Sequence, residues 1–166
     1  MVPPYLFRPM TAADLPTIER WLESPHVRDW WGDPTEQYLL VSGDLAEPAM
    51  DQFIVSVDGS DFAYIQCYDL TAWNSGFGEQ PKGTRGVDLF IGEADMIERG
   101  HGSAMIRAFV DERLKRGAPR VVTDPDPENL RALRAYENAG FARAGMVETP
   151  DGPSLLMVRD LSLIHI

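Results

Sequence analysis

Two apolar runs, QFIVSV (52–57) and FAYIQCY (62–68), flank the dipeptide Asp58-Gly59. No other stretch restricts the fold as tightly. Asp-Gly favours a two-residue turn with left-handed backbone, and its twist matches that of antiparallel strands, so a β-hairpin is expected over 52–68. The rest of the chain must then extend that hairpin or cover it.

YLFRPM (5–10) reads as a short first strand. TAADLPTIERWLES (11–24) reads as a helix opened by the capping pair Thr11 and Asp14, with Leu15, Ile18 and Leu22 on one face. HVRDWWGDP (26–34) is expected as a loop, followed by a weaker helix around Glu36 to Ala46. Beyond the hairpin, residues 69–83 form a long loop rich in Gly, Asn and Pro, a length usually reserved for function or mobility. TRGVDLFIGE (84–93) is a strand. Gly100 to Arg116 is an amphipathic helix with Met105, Ile106, Phe109, Val110 and Leu114 inward. RVVTD (120–124) is a further strand, and Pro127 with Asp126 as cap is expected to open a helix that stops at Gly140. The segment from Phe141 to Asp160 supplies two strands around Pro150-Asp151-Gly152-Pro153.

That order predicts an α+β (mixed α/β) fold: a mixed, mostly antiparallel sheet of about six to seven strands flanked by about four helices. With no internal repeat and no low-complexity linker, residues 1–160 read as one domain. LSLIHI (161–166) reads as a tail, disordered or added to the natural chain.

The net charge of −11, from 26 acidic and 15 basic residues, repels nucleic acid and draws cations inward. No apolar run reaches the ~18–20 residues that cross a bilayer, and the N-terminus lacks the pattern of a secretory signal. Cys67, the one cysteine, rules out an internal disulfide and is expected half-buried in its strand. His26, His101 and His165 are too scattered for a metal site. A cytoplasmic protein without metal, membrane or nucleic-acid partner is expected, as monomer or homodimer.

The stretch MIERGHGSAMIRAF (96–109) places Gly100-His101-Gly102 between a strand and a helix. Glycine lets backbone approach a ligand, and unpaired N–H groups at a helix start point at negative charge. A P-loop would need GxxxxGK[ST], which is missing. A dinucleotide fingerprint would need glycine where Met105 stands. A diphosphate carried by another cofactor fits better, with His101 turned to solvent beside it.

The turn resembles the pyrophosphate loop of the GNAT N-acetyltransferases, (Q/R)-x-x-G-x-(G/A), which appears here as Ile97-Glu98-Arg99-Gly100-His101-Gly102. Ile97 departs from the usual Gln or Arg, and Glu98 puts a carboxylate near the phosphate. NLRALRAYENAGF (129–141) is similar to that superfamily's N-x-x-A-x-x-x-Y-e-x-x-G-F pattern. HVRDWWG, EQYL, RGVD, TDPDPENLRALRAYENAGF and TPDGPSLLMV resemble, in order, segments of the aminoglycoside 6′-N-acetyltransferases, covering about residues 5 to 159.

The resemblance implies acetyl transfer from acetyl-CoA to a primary amine of an aminoglycoside, by direct attack in a ternary complex. An ammonium must lose a proton before it attacks a thioester, and Asp88 matches the family's base. Tyr136 matches the group that protonates the leaving thiolate, and backbone N–H groups at Leu89 or Phe90 would hold the oxyanion. Leu89, Phe90, Ile91, Arg99, Gly100, His101, Gly102, Ser103, Asn129 and Tyr136 are the implied coenzyme A contacts. Trp31, Tyr38, Asp88, Asp124 and Asp151 are the implied substrate contacts, with Trp31 as an apolar wall and Trp30 buried beside it. Asp124 and Asp151 also read as ordinary turn residues. The 69–83 loop departs from the family by offering only Trp73, Phe77 and Glu79, and Leu89 stands where glutamine is usual. Two other readings share these motifs: a GNAT enzyme for another cationic amine (polyamine, siderophore precursor) or a protein N-terminus, and an inactive acyl-CoA-binding module.

Overall fold

A computed structural model describes residues 5–73 and 76–160. The tail over 161–166 lies outside the described residues. Seven strands make a mixed sheet: β1 (Leu6–Pro9), β2 (Met50–Val57), β3 (Ser60–Asp69), β4 (Arg85–Ile91), β5 (Arg120–Thr123), β6 (Ala142–Thr149) and β7 (Gly152–Asp160). Five helices accompany them: α1 (Leu15–Glu23), α2 (Pro25–Trp31), α3 (Pro34–Asp44), α4 (His101–Lys115) and α5 (Leu130–Asn138). The chain divides into two compact units, one running to Cys67 and including Leu89–His101, the other taking Tyr68–Asp88 and the residues from Gly102 onward.

In the first unit β1 lies antiparallel to β2, from Leu6 opposite Ser56 to Pro9 opposite Phe53. The β2–β3 hairpin turns as its sequence predicts. Asp58 (φ 51°) and Gly59 (φ 81°) both take left-handed backbone, the requirement that selects Asp-Gly. Thr11 and Asp14 form the expected capping box, the Thr11 N–H donating to the Asp14 carboxylate at 3.0 Å. That box closes a single 3-10 turn, Ala12–Asp14, which leads into α1. Ile18, Trp21 and Leu22 of α1 are fully buried. At about 2 kcal/mol per large apolar side chain, that burial outweighs the roughly 1 kcal/mol of a cap, so packing holds α1.

Residues 25–31 correct the expected loop: they form α2. Pro25 sits in its first turn, where a missing N–H costs nothing, and Val27 buries against the core. Gly32, at φ 92°, ends it. Trp30 is 44% exposed, against its expected burial. Cys67 is fully buried, not half-buried.

In the second unit the start of β4 runs parallel to β5, with Arg85 opposite Val121 and Gly86 opposite Val122. β5 pairs antiparallel with β7, from Arg120 opposite Asp160 to Thr123 opposite Met157, and β7 pairs antiparallel with β6. The inward residues of α4 are buried as its periodicity predicts.

The start of α5 differs from expectation. Asn129, not Asp126, is the cap, its side-chain oxygen accepting from the Ala132 N–H at 3.2 Å. The Asp126 carboxylate accepts from the Glu128 N–H at 2.9 Å, which turns the chain over residues 126–128 and delays the helix. No helix of the described residues is long and apolar enough to cross a membrane.

Candidate active site

The parallel register of β4 and β5 does much of the positioning. Asp88, within β4, and Asp124, just past the end of β5, each stand two residues beyond the paired Gly86 and Val122, on strands that neighbour at ~4.8 Å. The β6–β7 turn adds a third acid, since Asp151 stands between Thr149 and Gly152. Pro125 ties the segment after β5 to β7, its carbonyl accepting from the Leu155 N–H at 3.1 Å.

Asp124 feels the other two carboxylates. Burial pushes Asp124 up to about 7, and the negative charges of Asp88 and Asp151 push the same way. A hydrogen bond with Ser154 and one from the backbone N–H of Asp124 itself oppose the rise. Asp124 therefore changes charge near neutral pH, next to an acid that came from a different strand.

Tyr136 stands beside two of these acids, Asp88 and Asp124. It is buried on α5, with its ring edge-on to Phe141 at 5.3 Å between centroids. Burial holds its phenol well above the usual tyrosine range, Asp88 and Asp124 add to the rise, and a hydrogen bond with Thr123 opposes it. Thr123 is buried as well, and its hydroxyl donates to the Val87 carbonyl at 3.1 Å. The second unit thus gathers three carboxyls, a phenol and a buried hydroxyl. Such a set can accept a proton, deliver another, and attract a cation.

The glycine turn prepares for an anion. Gly100 has φ 81°, and a β-carbon there would meet no atom within 4 Å. Glycine is needed for the left-handed backbone, not to avoid a clash. Glu98 is also left-handed, at φ 59°, so the chain bends twice just before α4. The open space over Gly100 and the N–H groups at the start of α4 are features that a diphosphate requires.

Residues 10–149 match the family described as Acetyltransferase (GNAT) domain. The chain belongs to the GNAT acetyltransferases. It is 37% identical to an aminoglycoside N(6′)-acetyltransferase type 1 from Klebsiella pneumoniae, over 92% of this chain and 81% of that protein. A crystal structure of aminoglycoside acetyltransferase AAC(6′)-Ib in complex with coenzyme A and kanamycin is 35% identical, covers 98% of both chains, and superposes with a TM-score of 0.85. A spermidine N-acetyltransferase from Vibrio cholerae shares the fold at a TM-score of 0.73 with 14% identity.

Other anticipated residues of this acetyltransferase fall into distinct settings. Phe90 is buried, and Trp31 packs edge-on against it at 4.9 Å between centroids. Tyr38 packs on the same core, so Trp31 and Tyr38 are partly buried walls, not free side chains. Ile91 closes β4, its carbonyl accepting from His26 Nε2 at 2.8 Å. Leu89 and Ile91 are half-buried. The Arg99 guanidinium donates to the Asp95 carbonyl at 3.1 Å, and Gly102 and Ser103 lie in the first turn of α4.

His101 does not turn to solvent. Its Nδ1 is 2.8 Å from the Tyr5 hydroxyl, and its ring packs against Phe62 at 5.5 Å. In the 69–83 loop, Phe77 is buried and Trp73 packs on Tyr68, so two of the three side chains anticipated there are committed to packing. Thr123 and Ser154 escaped the sequence reading, because hydroxyls at strand ends carry no pattern until the register of β4, β5 and β7 is known. His26, dismissed as scattered, anchors the end of β4.

Proposed function

We propose that this GNAT acetyltransferase moves the acetyl group of acetyl-CoA to the 6′-amine of an aminoglycoside by direct attack in a ternary complex, working in the cytoplasm as one catalytic domain over residues 1–160. The observation that carries the proposal is the grouping of Asp88 and Asp151 about Asp124, with Tyr136 beside Asp88 and Asp124. A polycationic sugar needs several carboxylates, and its transfer chemistry needs a base and an acid. Kinship with the 6′-acetyltransferase from Klebsiella pneumoniae supports the substrate class.

Asp88 takes the proton that frees the amine lone pair, directly or through water. Backbone N–H groups at Leu89 and Phe90 receive the carbonyl oxygen as it gains charge. Tyr136 returns a proton to the departing thiolate, and its raised proton affinity keeps it in the acid form at neutral pH. Asp124 and Asp151 hold the remaining ammonium groups of the antibiotic. The turn from Arg99 to Ser103 takes the pyrophosphate of coenzyme A, with Asn129 on the same ligand.

Thiol release from acetyl-CoA, measured in parallel with kanamycin, tobramycin, gentamicin, spermidine and a peptide amine, tests the proposal. Turnover with the antibiotics carrying a free 6′-amine is expected. Turnover with spermidine or the peptide alone would overturn the substrate, and silence with every amine would overturn the enzyme reading.

A further inference from the structure

We infer that Tyr5 is a positioning residue for coenzyme A, holding the turn over residues 98–101 ready for the diphosphate through its hydrogen bond to His101. The inference rests on the reading that this turn takes the pyrophosphate.

The backbone of the turn is poorly suited to hold its own shape. Glu98 is left-handed at φ 59°, a conformation that is costly for a residue with a β-carbon. Gly100 is left-handed at φ 81°, and glycine has the most conformational freedom to lose. Gly102 follows in the first turn of α4. His101 is thus the one side chain by which residues 100–102 can be gripped. Arg99, just before them, donates to the Asp95 carbonyl at 3.1 Å, a bond to the chain four residues back.

Tyr5 supplies the grip from a distant part of the chain. It stands just before β1, which pairs with β2 from Leu6 onward. Its ring is buried and lies 6.0 Å from that of Phe62, a fully buried residue of β3. The His101 ring meets Tyr5 edge-on at 5.9 Å and Phe62 at 5.5 Å. Within this frame of three rings the Tyr5 hydroxyl and His101 Nδ1 lie 2.8 Å apart, although 96 residues separate them in the chain. A phenol can both donate and accept, so either protonation state of Nδ1 keeps the bond. A turn already shaped when coenzyme A arrives has less freedom to lose on binding. The gain therefore falls on affinity for the donor and not on the chemical step.

Tyr5→Phe removes the hydroxyl and keeps the ring on Phe62 and His101. Titration calorimetry with coenzyme A should give a Kd about fivefold higher, the size of one hydrogen bond. Kinetics with kanamycin should show the same rise in KM for acetyl-CoA, with kcat within about twofold. S-acetylpantetheine, which carries the thioester without the diphosphate, should be used by the variant and the native enzyme at equal kcat/KM. His101→Phe breaks the same bond from the other side while keeping a ring, and it serves should Tyr5→Phe fail to fold. It should raise the Kd at least as much, and adding Tyr5→Phe to it should cost nothing more. An unchanged Kd for coenzyme A in either variant, or an equal loss with S-acetylpantetheine, would overturn the inference while leaving the turn as the diphosphate site. A native enzyme that uses acetyl-CoA no better than S-acetylpantetheine would remove the diphosphate reading and the inference with it.

Discussion

Asp88 raises the proton affinity of Asp124 although 35 residues separate them in the chain, because β4 and β5 are parallel neighbours, Gly86 of one opposite Val122 of the other. The sign of the stability effect follows. The folded Asp124 titrates at about 7 against 3.8 unfolded, so between those values the folded chain binds more protons and stability falls as pH rises through that window. Asp124→Asn should therefore stabilise the protein above pH 7, by up to roughly 4 kcal/mol at about 1.4 kcal/mol for each tenfold in proton affinity, and the gain should vanish near pH 4. Urea melts of both proteins across that range check it.

With Asp124 holding an ammonium of the antibiotic as proposed, the same titration is expected to govern substrate binding. Asp124 becomes an anion as pH rises through about 7. KM for kanamycin should fall over that interval in the native enzyme and should stay flat in Asp124→Asn. Steady-state kinetics between pH 5.5 and 8.5 give the comparison.

Asp88→Asn removes the proposed base, and Tyr136→Phe removes the proposed acid. Each is expected to lower kcat by roughly 10²-fold or more, the usual contribution of positioned acid–base groups. Tyr136→Phe keeps the ring that packs on Phe141, so its melting temperature should change little.

Asp151 stands exposed in its turn, where water and salt screen it. Asp151→Asn should raise KM for kanamycin by about fivefold at low salt, with kcat unchanged, and the difference should shrink as salt is added. A kinetic series from low to moderate ionic strength decides it.

Gly92 marks a close approach. A β-carbon there would fall 2.1 Å from the Trp21 indole, which is fully buried. Gly92→Ala should destabilise by about 2 kcal/mol or more, whereas Gly43→Ala, with no atom within 4 Å of its added carbon, should be neutral or stabilising. Paired urea melts separate the two.

Much of the architecture was legible where one local rule acts alone. Asp58-Gly59 demanded its hairpin, and the spacing from Met105 to Leu114 demanded its buried face. Competing rules hid the rest. Pro127 is well suited to open a helix, yet the Asp126 carboxylate captures the Glu128 N–H and postpones the start to the Asn129 cap. α2 spans seven residues, too few for a period to emerge from PHVRDWW. Asp88, Asp124 and Asp151 were recognisable through family resemblance, since no spacing in the chain announces their meeting. Thr123 and Ser154 depend on strand register, which is a property of the fold and not of the local sequence.

The most direct test of the account is the position of the acetyl group on the product. Kanamycin incubated with acetyl-CoA and the enzyme, then assigned by NMR, should carry a single acetyl on the 6′ nitrogen. An unmodified antibiotic, or an acetyl on any other amine, would contradict it.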